Sequence, residues 1–127
     1  MSHISIVQTR LMDRDILLEA LQQLGYVVNQ AENLEIRSMD RTVKVDFLVE
    51  IPYSAPIGFR KSKTGYKIAA DWFQIQLDPK KFKNQVLQQY AYLSVLKTLS
   101  EQGFQIAQEE KDEKNQIHLV LRRMNES

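Results

Sequence analysis

Cysteine is absent from the 127 residues, which excludes disulfides, thiolate zinc sites, iron–sulfur ligation and a cysteine nucleophile together. That absence fits a reducing compartment. Histidine is scarce: His3 and His118 lie at opposite ends of the chain, with no HExxH or His-x-His pair to hold zinc. Glycine occurs only at positions 25, 58, 65 and 103, too scattered for a phosphate-cradling loop. With only three prolines beside them, collagen-like or linker-like character is excluded too. No Gly-x-Ser-x-Gly elbow and no Ser-x-x-Lys nucleophile motif is present. No apolar run approaches the ~20 residues that span a bilayer. The opening Met1-Ser2-His3-Ile4-Ser5 lacks the basic region and apolar core of a signal peptide. Net charge is nearly absent as well, at +1, which argues against bulk electrostatic attachment to nucleic acid or membrane. The aromatic strand motif of an RNA-recognition fold is also missing. These gaps lead to the expectation of a non-enzyme with no cofactor and no metal.

What remains is an ordinary globular composition, 43% hydrophobic and 26% charged, enough for one core. Residues 4–9 predict an opening strand rich in β-branched residues. Asp13 reads as an N-cap, and Leu17, Ala20, Leu21 and Leu24 make the apolar face of a helix over 13–24, stopped by Gly25. Tyr26-Val27-Val28 follow as a strand. Val43, Val45, Phe47 and Val49 alternate with Lys44, Asp46, Leu48 and Glu50, predicting one continuous strand over 42–50 with a single buried face. Pro52 and Pro56 bracket a turn. Ile57-Gly58-Phe59 and Tyr66 to Ala70 predict two strands around the loop Lys63-Thr64-Gly65. Asp78-Pro79 starts a second helix running to about Gln102, apolar on most sides from Tyr90 to Leu96 and so expected to be well covered. Gly103 stops it. Phe104-Gln105-Ile106 begin a strand, 112–115 form a polar turn, and Ile117, Leu119 and Leu121 alternate in the last strand. The helix–Gly–aromatic junction at Leu21 to Gln30 is repeated at Leu99 to Gln108, which raises two related β-α-β-β halves. The expected architecture is a single α+β domain over 1–127, a mostly antiparallel sheet with two helices on one face.

Charge is unevenly spread. Between Gly58 and Lys83 the bases Arg60, Lys61, Lys63, Lys67, Lys80, Lys81 and Lys83 face only Asp71 and Asp78, a local +5. Glu101 to Glu113 carries −4 and reads as a charged turn at Glu109-Glu110-Lys111-Asp112-Glu113. Lys80, Lys81 and Lys83 open the second helix, where lysines and free backbone N–H groups together could hold an anion. The only tryptophan, Trp72, lies between the two basic clusters as an aromatic anchor. The expected partner is therefore an acidic protein surface or a phosphate-bearing ligand, with a solvated lysine cluster as the plain alternative. A different reading places a small-molecule or catalytic pocket near His3, Asp71 and Trp72.

Several short motifs recur in one order along the chain. They are Met1-Ser2-His3, Leu24-Gly25-Tyr26, Val45-Asp46, Ile57-Gly58-Phe59, Ala69-Ala70-Asp71-Trp72, Gln89-Tyr90-Ala91-Tyr92, Gly103-Phe104, and Ile117-x-Leu119-x-Leu121-Arg122-Arg123. As a set they resemble the family named hypothetical chloroplast reading frame thirty-five, of cyanobacteria and algal plastids. One departure is Phe73-Gln74, where a glycine-containing continuation would be more typical. The resemblance implies a soluble protein of the cyanobacterial cytoplasm or plastid stroma that serves the photosynthetic apparatus. It implies no reaction, and it gives no chemical role to Gly58, Asp71, Trp72 or Tyr90.

Overall fold

The structure, a computed structural model, describes residues 3–124. Met1 and Ser2 of the opening motif lie outside the described residues. The element order is β1 (Ser5–Gln8), α1 (Arg14–Gln23), β2 (Val27–Asn29), β3 (Glu35–Arg37), β4 (Thr42–Lys44), β5 (Phe47–Glu50), β6 (Ile57–Ser62), β7 (Gly65–Ala70), a 3-10 turn (Trp72–Gln74), α2 (Pro79–Glu101), β8 (Phe104–Lys111) and β9 (Ile117–Arg123). This is an α+β fold with wholly antiparallel strand pairing. The chain divides into two units, Met1–Tyr90 and Ala91–Ser127.

The first unit is built on a five-stranded sheet in the order β1-β7-β6-β5-β2. Because side chains alternate across a strand, register sorts them onto two faces. Phe47, Phe59 and Ile68 are cross-strand partners and share one face with Val49, Ile57, Tyr66 and Ala70. Leu17 and Leu21 of α1, with Phe82 and Val86 of α2, close over that face. Phe47 and Phe59 stack at 5.1 Å between ring centroids. The N-cap of α1 forms as expected, Asp13 Oδ1 accepting from the Ile16 N–H at 3.1 Å. At its other end Gly25 sits at φ +91°, the Gly25 N–H donates to Gln22 C=O and the Tyr26 N–H to Leu21 C=O. That paired closure needs a left-handed residue.

The opposite face holds the main correction to the sequence reading. The expected continuous strand over 42–50 is broken at Val45-Asp46. Val43 belongs to the β3–β4 ribbon and packs with Ile36, Ile4 and Ala69, whereas Phe47 and Val49 face the helices. The ribbon lies over the sheet where Leu48, Gly58 and Ala69 are cross-strand neighbours. Alternation survived in the sequence because each half is regular. The crossing between layers at 45–46 leaves no periodic trace. The partner strand β3, which completes the ribbon, was not anticipated at all.

In the second unit Ala91–Glu101 of α2 ends at Gly103, φ +84°, repeating the glycine stop of α1. β8 and β9 form their own two-stranded ribbon around a 112–116 turn. The two expected halves thus match at the helix–glycine–strand junction, but β2 pairs with β5 inside the large sheet while β8 pairs with β9 alone. Along the middle of α2, Leu93 is buried but Ala91 and Val95 are exposed, so the helix is less covered than its composition suggested.

Candidate functional site

The antiparallel order brings four chain segments to one end of the first unit. β1 begins there, β7 ends there, β5 leaves and β6 returns through the 51–56 loop. The β3–β4 turn joins them by holding the backbone of Ile4, Asp40 Oδ1 accepting from its N–H (3.3 Å) and Arg41 Nη2 donating to its C=O (2.9 Å). Phe82 of α2 meets Tyr26 and Trp72 at this end, which places Lys80 and Lys81 beside it.

Asp71 is the hub. It is 2% exposed, and its Oδ2 accepts from Ser38 Oγ (2.7 Å) and Gln74 Nε2 (2.9 Å). A buried carboxylate is costly unless hydrogen bonds replace its water, and these two bonds do so at Oδ2. They also tie the β3–β4 turn to the 3-10 turn. Gln74 C=O in turn accepts from the Ala55 N–H (3.1 Å), and Ser54 Oγ accepts from the Gln76 N–H (3.0 Å). Three loops, 38–41, 51–56 and 71–76, are therefore joined through a few bonds centred on Asp71.

These braced loops display large apolar side chains to solvent. Met39 is 90% exposed, Tyr53 98% and Phe73 77%. Tyr53 stands at φ +59°, in a turn closed by the Ser54 N–H donating to Ile51 C=O (3.1 Å), a position that favours Gly or Asn. Sequence reasoning weighed Phe73 with Trp72 as a recognition surface or, in preference, as an anchor of the loop in the core. The exposure of Phe73 corrects that preference. Met39, Tyr53, Ser38 and Gln74 were not singled out as site residues. The one available signal was Tyr53 next to Pro52 in a turn, an aromatic where turn residues are usually small and polar.

The expected basic segment does not form one patch. Arg60 and Lys67 are directly opposed on the ribbon-side face of β6–β7, Lys61 is exposed beside them, and Lys63 lies at the hairpin tip. That tip is a strand length of about 17 Å from Asp71. Lys80, Lys81 and Lys83 belong to a helix on the other face, next to Trp72. A count along the chain sums both groups, but the sheet stands between Arg60 and Lys67 and the α2 lysines, and Lys61 and Lys63 lie toward the hairpin tip. Nor are the first amides of α2 open: Asp78 Oδ1 accepts from the N–H groups of Lys80 (2.9 Å) and Lys81 (3.3 Å). The helix-terminus anion site thus reduces to the lysine side chains. Trp72 is half-buried and packs on Phe82 at 6.1 Å, while Asp71 is held from the ribbon side by Ser38. Of the three residues of the alternative pocket, Asp71 is buried, Trp72 is half-buried and His3 is exposed.

The acidic run also changes. Glu109, Glu110 and Lys111 are strand residues of β8, and the turn starts only at Asp112. A bulge between Ile106 and Gln108 sets Glu109 opposite Leu119. There Glu109 Oε2 accepts from Tyr92 Oη at 2.5 Å. Partial burial first, and the Glu109 carboxylate second, push the Tyr92 hydroxyl up to about 12. His118 Nε2 meets Asp112 Oδ2 at 2.8 Å, and this contact, with the Gln116 N–H, holds the Asp112 carboxyl below its usual range. Among the described residues no three potential metal ligands gather, and no helix is long and apolar enough to cross a membrane.

A family model described as "Protein of unknown function (DUF1257)" matches residues 20–120. The chain belongs to this family. Curated relatives agree in length and coverage. "Uncharacterized protein ycf35" of Cyanophora paradoxa is 30% identical over 97% of this chain and 98% of its own. The protein of the same name from Pyropia yezoensis is 29% identical over 98% of this chain and 99% of its own. That of Guillardia theta is 30% identical over 97% and 98%. These family members are algal plastid proteins, in line with the resemblance carried by the ordered motifs. No solved structure matches the chain.

Proposed function

We propose that this family member is a non-enzymatic binding or adaptor module that holds an anionic partner, an acidic protein surface or a phosphate-bearing ligand. It does so at the end of the sheet where Trp72, Lys80, Lys81 and Lys83 lie. The carrying observation is that Lys80 and Lys81 are exposed beside loops braced through a buried Asp71, so the cations flank a preorganised surface. The hairpin bases Arg60, Lys61, Lys63 and Lys67 are a separate group and serve in this reading only as long-range attraction. A second reading, a small-molecule or enzyme site at Asp71, draws on that residue's burial. Its Oδ2 already receives two donors that join loops, which favours bracing over chemistry. The relatives' home in algal plastids supports a stromal or cyanobacterial cytoplasmic setting, and the photosynthetic apparatus as the place to seek the partner.

The test is a pulldown from a photosynthetic lysate with wild type and with Lys80→Glu/Lys81→Glu/Lys83→Glu. The triple reversal is expected to abolish salt-sensitive capture while leaving the fold intact, because acids suit a helix N-terminus better than lysines do. Unchanged capture of every partner at low salt would sink the reading.

A further inference from the structure

Met39, Tyr53 and Phe73 share three properties that ordinary exposed apolar residues do not share together. Each sits on a loop tip rather than in a groove. All three loops gather at one end of the five-stranded sheet, that of the β3–β4 ribbon through its bonds to Asp71 and Ile4. The loops are joined to each other through Asp71, Gln74 and Ser54, so the tips hold a common arrangement before any ligand arrives. Single exposed apolar residues need no explanation, but three on mutually braced tips do. Tyr53 adds a further point. A bulky residue in the left-handed region carries a strain that glycine or asparagine would avoid, and nothing in the fold is gained from its ring, which is 98% exposed.

Protruding side chains suit a soft, deformable partner better than a pocketed one. Interfacial binding to a lipid surface combines apolar and aromatic side chains entering the headgroup region with lysines reaching lipid phosphates. Lys80 and Lys81 stand at this same end, exposed, with Lys83 one turn further along α2. Of the acids at this end, Asp78 engages the α2 amides and Asp40 the Ile4 N–H and Arg41, while Glu50 is exposed at the close of β5 and leaves the lysines in the majority. The geometry points to an anionic lipid surface as the phosphate-bearing ligand of this module, with Met39, Tyr53 and Phe73 as inserted anchors and Lys80 and Lys81 as headgroup contacts. It rests on the reading of the basic end as an anion-binding surface, and narrows that reading to one class of partner.

The test is co-sedimentation of the full chain with vesicles of phosphatidylcholine alone and of phosphatidylcholine with increasing phosphatidylglycerol. Wild type is expected to bind the mixed vesicles, and to bind neutral ones much more weakly. The variant Met39→Ser/Tyr53→Asn/Phe73→Ser keeps every loop-to-loop bond and suits the Tyr53 backbone, so it should fold. It is expected to lose vesicle affinity by about tenfold or more. The Lys80→Glu/Lys81→Glu/Lys83→Glu protein should lose on the order of a hundredfold, and more at low salt than at high. Free glycerophosphoglycerol should compete poorly, because it supplies the anion without the apolar layer. Failure of wild type to bind at any phosphatidylglycerol fraction would overturn the inference. So would full affinity in the apolar triple variant, or equal competition by the free headgroup. If vesicle binding is absent while the lysine reversal still abolishes salt-sensitive capture from membrane-cleared lysate, the lipid assignment falls and the broader anion-binding reading stands.

Discussion

Gly58→Ala tests whether the β3–β4 ribbon is seated as closely on the sheet as the structure shows. Gly58 lies in a row between Leu48 and Ala69 where the ribbon crosses the sheet. A Cβ built there meets Val45 Cγ1 at 2.6 Å and Ile36 Cγ1 at 2.8 Å, both well inside ordinary contact. Its φ is not positive, so alanine meets no backbone strain and the penalty is purely one of packing. Overpacking a fitted interior costs about 1–3 kcal/mol. Against this, replacing glycine in a strand recovers about 0.5–1 kcal/mol by restricting the unfolded chain. The difference spans about 0–2.5 kcal/mol, and because both contacted atoms belong to stiff β-branched side chains a net loss in its upper half is expected, read as a lower urea midpoint with an unchanged slope. The partner is testable too. Val45→Ala removes the nearest methyl groups, so it should cost at least about 1 kcal/mol less in the Gly58→Ala background than alone. A Gly58→Ala protein as stable as wild type, or strict additivity with Val45→Ala, would refute the seating of the ribbon.

Other expectations follow from single contacts. Gly65→Ala should be far harsher, about 3 kcal/mol or more, because its Cβ would meet Thr9 backbone O at 2.5 Å at a φ of +131°, and no side-chain shift relieves that. Tyr53→Gly should raise the thermal midpoint, by about 0.5–1 kcal/mol of stability, since it removes the left-handed strain without losing a buried contact. Asp71→Ala should cost about 2–4 kcal/mol in denaturant unfolding, by leaving Ser38 and Gln74 without their shared acceptor. In alkaline titration Tyr92 should ionise near 12 rather than 10, and Glu109→Gln should lower that value only in part, because burial is the larger cause. Tyr92 favours its protonated form in the folded state. Its contribution to stability is therefore complete below about 10 and lost as pH rises toward about 12, which hydrogen exchange in β8 can follow.

Local chemistry by itself determined most elements of this chain. Asp13, Asp78, Gly25 and Gly103 mark where helices begin and stop because caps and left-handed closures are satisfied within a few residues. The strands read at 57–59, at 66–70 and from Ile117 were legible too, although the first runs on to Ser62 and Gly65, read as loop, opens the second. The α+β class followed, and the ordered motifs pointed to the family. What the tertiary structure decided is which side each element faces and which loops meet. Val43 and Phe47 read as one stripe, yet they enter different layers because the chain crosses between them at Val45-Asp46. The seven bases read as one cluster, yet a sheet stands between Lys67 and Lys80. Met39, Tyr53 and Phe73 are far apart in sequence and share no motif. They come together because antiparallel pairing returns β5, β6, β7 and β1 to one end, and because Asp71 is buried there with Ser38 and Gln74 around it. Hydrogen-bond and packing partners separated by tens of residues leave no periodic signal in a single sequence, so the surface they build exists only in the folded chain.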